Sequence, residues 1–98
     1  MENNESLKIV IEDIEGLLNG ILLSGVSVTL EGTLREMNRL AVSCDKLGLK
    51  EGAAMLFNLE ETLKKKRHTL NFDVDEVVRR LVVLGSYVSL VKGKMKGI

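Results

Sequence analysis

Apolar residues recur every three or four positions along almost the whole chain, and the pattern breaks only at short stretches carrying glycine or a helix-capping residue. Proline, which would end or kink a helix, is absent from all 98 residues. That period without that breaker confines the chain to helices, and four are expected.

The first, about Glu5 to Ser24, presents Leu7, Val10, Ile11, Ile14, Leu17, Leu18 and Ile21 as one broad face. Gly25 supplies the left-handed residue that ends helices, Val26 follows as its hydrophobic partner, and Ser27 or Thr29 caps the next helix. The second, about Leu30 to Leu47, runs Leu30, Leu34, Met37, Ala41 and Cys44, with Leu40 and Leu47 widening the stripe, and Gly48 and Leu49 end it in the same way. The third, about Lys50 to His68, uses Ala53, Leu56, Phe57, Leu59 and Leu63. It closes in Lys64, Lys65, Lys66 and Arg67, where cations suit the negative end of the helix dipole.

Asp73 followed three residues later by Glu76 is a variant of the capping box and starts the fourth helix. That helix carries Val74, Val77, Val78, Leu81, Leu84, Val88, Val91 and Met95 on its apolar face. The β-branched residues between Val82 and Val91 would also suit a strand. The period of three and four together with the cap decides for a helix. Connections of about three to five residues make successive helices antiparallel, so the expected fold is all-α, an up-and-down antiparallel four-helix bundle in a single domain spanning 1–98.

Two stripes of small residues lie at helical spacing, Gly16, Gly20 and Ser24 on the first helix and Gly85, Ser89 and Gly93 on the last. Glycine inside a helix costs about 0.8 to 1 kcal/mol relative to alanine, so Gly16, Gly20 and Gly85 together forgo roughly 3 kcal/mol unless close contact returns it. The stripes are therefore expected to be sites of close helix packing or an interface. If the first and last helices are neighbours, Gly16 to Ser24 runs beside Gly93 to Gly85 in matching order. An internal seam between the chain ends is the simplest account, a groove between molecules the second. The seam leaves the faces of the second and third helices as the place for a partner.

The formal net charge is zero, which removes the long-range field of a nonspecific nucleic-acid or membrane binder. The charges are nonetheless divided. Residues 1–36 carry seven acidic and two basic groups, or −5, while residues 62–98 carry three acidic and nine basic, or +6. The two ends attract one another, within one chain or between two.

No catalytic set assembles from these residue types. His68 is the sole histidine and sits in the basic helix terminus, far along the chain from the sole cysteine, Cys44, which falls on an apolar stripe where an inert buried thiol is the usual outcome. Glu12, Asp13 and Glu15 flank the apolar face of the first helix as its solvated side, Glu60 and Glu61 form another acidic pair, and Asp73 and Glu76 are explained by capping. Di-metal bundles need Glu-x-x-His pairs, and the chain has none. No glycine-rich phosphate loop stands between a strand and a helix. No metal or cofactor is expected.

Lys64, Lys65, Lys66, Arg67, Arg79 and Arg80 form the one candidate phosphate-contacting patch, without interleaved aromatics for stacking on bases. A lone cysteine suits a reducing compartment, no basic-then-apolar leader precedes the first helix, and the longest apolar stretch is interrupted by Glu15 and Asn19. A soluble cytoplasmic protein with no membrane association is expected.

The stretch from Gly25 to Leu90, with Leu47-Gly48-Leu49 closing one helix, Ala54-Met55-Leu56-Phe57 in the next and Leu84-Gly85-Ser86-Tyr87 in the last, resembles a helical segment that accompanies SWIM-type zinc fingers in some bacterial proteins. The resemblance covers about two thirds of the chain. The cysteine and histidine ligands of that finger are missing here, so it carries no metal or catalytic residue across and implies an accessory helical module. The expected function is a nonenzymatic helical protein–protein interaction or assembly module, acting on a protein partner or as a homodimer. The alternative is a nucleic-acid-associated accessory protein using the basic patch.

Overall fold

In a computed structural model that describes residues 2–25, 31–66 and 74–96, the chain forms four helices: α1 Glu2–Ser24, α2 Glu31–Lys46, α3 Lys50–Lys66 and α4 Val74–Lys96. Each helix packs on the next in sequence and α4 returns to pack on α1, while the diagonal pairs do not touch among the described residues. This is the up-and-down four-helix bundle, about 47 Å long and 20 Å across. The valine-rich stretch in α4 is helical throughout.

The glycine stops are where the sequence places them. Gly25 and Gly48 have φ of 94° and 85°, a conformation that side-chain-bearing residues rarely adopt. At the end of α2 the Leu49 amide donates to the Cys44 carbonyl at 2.8 Å and the Gly48 amide to the Asp45 carbonyl at 3.1 Å, the paired bonds of a Schellman cap. Leu49 then packs on the core, and its carbonyl accepts the Ala53 amide to begin α3. Lys50 Nζ reaches Asp45 Oδ1 at 2.7 Å and ties the turn on its outside. The caps expected at Ser27, Thr29 and Asp73, and the residues Val26, Leu30, Arg67 and His68, lie outside the described residues.

The core is built as the period requires. Val10, Ile11, Ile14, Leu18 and Ile21 of α1 meet Leu34, Met37, Leu40, Ala41 and Cys44 of α2, Ala53, Leu56, Leu59 and Leu63 of α3, and Val77, Leu81, Leu84 and Val88 of α4. Leu17, Leu47, Val91 and Met95 cover its edges, half-buried. Phe57 and Val74, expected on the apolar faces, instead lie exposed. Phe57 stands one residue past Leu56, about 100° around α3, so Leu56 and Leu59 fill the seam and the larger ring is turned out. Val74 opens α4 before the buried series begins at Val77.

Candidate interaction face

The small-residue stripes are on the surface. Gly16, Gly20, Ser24, Ser89 and Gly93 are exposed and Gly85 is half-buried. A Cβ added at Gly16, Gly20, Gly85 or Gly93 would meet nothing within 4 Å. The tight internal seam expected between the chain ends is therefore absent. The reason lies in helical phase: Gly16 is two residues from the buried Ile14 and Gly20 two from the buried Leu18, and two residues are about 200° of rotation, the far side of the helix. α1 and α4 are neighbours as expected, but through larger side chains beneath the stripes.

The close approach that a glycine does make possible is elsewhere. A Cβ at Gly52 would stand 2.8 Å from Cε2 of Tyr87 and 3.3 Å from its Cζ and Oη. The α4 tyrosine lies over the first turn of α3. Burial pushes its phenol above the ordinary value, with hydrogen bonding from the Gly52 backbone pulling the other way. Gly52 lies outside both stripes, so its role has no mark in the sequence beyond its placement at the start of an amphipathic helix.

Around the stripes, large apolar side chains stand in solvent. Ile9, Leu22 and Leu23 of α1 and Val74, Val82, Val83 and Leu90 of α4 are exposed, Leu23 by 89% of its surface, whereas α2 and α3 contribute only Val42 and Phe57 among the described residues. A groove of about 310 Å³ runs between α1 and α4, with buried Leu18, Leu81 and Val88 below and Leu22, Val82, Gly85 and Ser89 beside them. No charged residue occurs from Gly16 to Gly25 or from Leu81 to Val91. The opposite side of the bundle is conventional, with exposed Arg35, Arg39, Asp45, Glu51, Glu61, Lys64 and Lys65.

Charge returns at one end of this face. Lys92 Nζ meets Glu15 Oε2 at 3.0 Å across α1 and α4, which places the acidic half of the first helix beside the lysines of the last, as their division in the sequence implies. Asp13 pairs with Arg39 of α2 at 3.4 Å. Lys8, Ile11, Glu12, Lys92 and Met95 line a further groove of about 300 Å³ there.

The remaining candidates are placed as follows. Cys44 is fully buried, and burial pushes its thiol up to about 11, the setting of an inert core cysteine. Of the basic patch, Lys64 is engaged by the buried Glu60 at 3.0 Å, and Arg80 by Glu76 at 3.3 Å. Lys65 and Arg79 are exposed. Arg79 and Arg80 line a groove of about 480 Å³ with Met55, Asn58, Glu76 and Val83. Glu60 also accepts a hydrogen bond from Asn38 Nδ2 at 3.2 Å, joining α2 to α3. Among the described residues no three histidine, cysteine, aspartate or glutamate side chains are grouped to hold a metal ion, and no helix is long and apolar enough to cross a membrane.

Compared with known proteins, the chain matches no family model, no curated sequence and no solved structure.

Proposed function

We propose that the chain is a nonenzymatic, cytoplasmic interaction or assembly module that binds a protein partner through the outward face of α1 and α4. The observation that carries this reading is the largely apolar surface along the α1–α4 groove, where Leu22, Leu23 and Val82 stand in solvent beside Gly85 and Ser89 with Glu15 at its edge. Contiguous exposed apolar surface of this kind marks interaction sites. Small residues between the leucines and valines let another backbone come close. The same reading moves the partner from the faces of α2 and α3, where the sequence pointed, to α1 and α4. It agrees with the accessory role implied by the resemblance to the SWIM-associated segment.

The nucleic-acid alternative has less behind it, because two of its cations, Lys64 and Arg80, already hold carboxylates. A photo-crosslinking residue placed in living cells at Leu22, Leu23 or Val82, with Val42 and Glu61 as controls, tests the leading reading. Discrete protein adducts from the first three positions and none from the controls are expected. Adducts from neither set would refute it.

A further inference from the structure

We propose that a second surface, the outer edge of α3 and α4, takes an acidic amphipathic helix from a protein partner; it is separate from the α1–α4 groove and does not rest on the reading of that groove. Four α4 side chains define it. Arg79, Val83, Leu90 and Lys94 are all exposed, Val83 by 53% and Leu90 by 66%. Their spacings of four, seven and four residues hold them within about 60° of one another around the helix, at about 100° per residue. The stripe lies on the α3 side. Arg79 and Val83 line the groove of about 480 Å³ with Met55 and Asn58, and Tyr87, one turn beyond Val83, lies over Gly52. Two apolar side chains thus stand between two cations about 22 Å apart at about 1.5 Å per residue.

The charge of the occupant follows from α4 itself. From Val77 to Lys96 it carries Arg79, Arg80, Lys92, Lys94 and Lys96 and no carboxylate. Arg80 is held by Glu76 and Lys92 by Glu15, whereas Arg79 and Lys94 have no ion pair among the described residues. On α3, Glu51 precedes Gly52 and acts on the Tyr87 phenol, level with the apolar centre of the stripe. Acids on an incoming helix are therefore favoured at the two ends and disfavoured between them. The form of the occupant follows from the spacing. Intervals of four and seven are those at which one face of a helix repeats, so a helix laid along the groove meets the stripe with acid, apolar, apolar and acid in turn. A phosphate backbone would engage the cations but leave Met55, Val83 and Leu90 without contacts, and the neighbouring ring, Tyr87, is turned onto Gly52 instead of standing free to stack on bases.

The probe is a fluorescein-labelled peptide of sixteen residues with glutamate at its first and last positions and leucine at its fifth and twelfth, stapled on the far face because so short a helix is marginal in water. Titrated with the whole chain and read by fluorescence anisotropy, it is expected to bind with a Kd below about 100 µM, less tightly as salt rises from about 50 to about 500 mM. On the wild-type protein, lysine in place of both glutamates and asparagine in place of both leucines each weaken binding about tenfold or more, and these arms do not depend on any variant folding. Leu90→Asp weakens it to a similar degree. Arg79→Glu with Lys94→Glu reverses the preference, so that the lysine peptide binds better than the glutamate one. Circular dichroism checks that these variants of exposed residues still fold. No binding to the wild type overturns the proposal, as does equal binding of the glutamate and lysine peptides. Loss of binding with Leu23→Asp but not with Leu90→Asp places the peptide in the α1–α4 groove and overturns it too. So does a single-stranded oligonucleotide that displaces the peptide and is itself indifferent to Leu90→Asp, since the cations then serve nucleic acid.

Discussion

Replacing Gly52 with alanine should destabilise the bundle even though alanine is the better helix former. The added Cβ would lie 2.8 Å from Tyr87 Cε2, and carbon atoms pack best at about 3.5 to 4.0 Å, so the ring must withdraw by roughly 0.7 Å or more. Overpacking of this kind costs about 1–3 kcal/mol. Tyr87 is half-buried and its ring edge is the far end of a side chain, so the cost falls near about 2 kcal/mol. Alanine returns at most about 1 kcal/mol of helix propensity, and less in the first turn of α3 where Gly52 sits. The net loss is about 1 kcal/mol, a fall of roughly 4–8 °C in Tm for a domain of this size. Urea unfolding followed by far-ultraviolet circular dichroism measures it. Tyr87 is the sole tyrosine and there is no tryptophan, so tyrosine emission reports directly on displacement of the ring. In a Tyr87→Ala background the same change at Gly52 should become neutral or stabilising, because the two effects are coupled. A Gly52→Ala protein as stable as the parent, with unchanged tyrosine emission, would refute the reasoning.

The open stripe glycines should behave in the opposite sense: Gly16→Ala and Gly20→Ala, measured in dilute protein, each add about 0.8–1 kcal/mol in urea unfolding, since nothing opposes the new methyl. Cys44 should resist a thiol reagent until the protein unfolds. Its proton is held more tightly in the fold than in the open chain, so stability is level below about 9.0 and declines as the pH rises toward about 11, with Tyr87 acting in the same direction. Equilibrium unfolding across that window shows a decline in the wild type and a shallower one in Cys44→Ala. The Glu15 and Lys92 pair, partly exposed at 3.0 Å, should give a coupling of about 0.5 kcal/mol in a double-mutant cycle and lose most of it in molar salt.

Helix number, order and direction are legible in the sequence because each depends on a local signal. The apolar period sets the helices, Gly25 and Gly48 set two of the stops, and short connections set the antiparallel order. Rotational phase is harder. Phe57 and Leu56 are adjacent and both apolar, and only the packed bundle turns the ring outward. The stripes carried a phase signal that spacing alone obscures. Gly16 and Gly20 share a face with each other, but stand two residues from Ile14 and Leu18, on the side away from the core. Gly52 is the converse case. Its partner lies 35 residues along the chain, and no local pattern announces a tyrosine lying across a helix start.

Two departures from an ordinary monomer surface occur on α1 and α4. Within one chain, alanine at Gly16, Gly20 and Gly85 would be more stable by roughly 3 kcal/mol in all, with room for every methyl. Charged residues at Leu23 and Leu90 would cost the core nothing, since both side chains stand mostly in solvent. The other side of the bundle follows that rule, with carboxylates and cations at its outward positions. Helix propensity and solubility therefore both count against this sequence on α1 and α4 as a solitary domain. Close approach of a partner backbone removes both objections at once: it gives the glycines a contact that a methyl would obstruct, and it takes the leucines out of water.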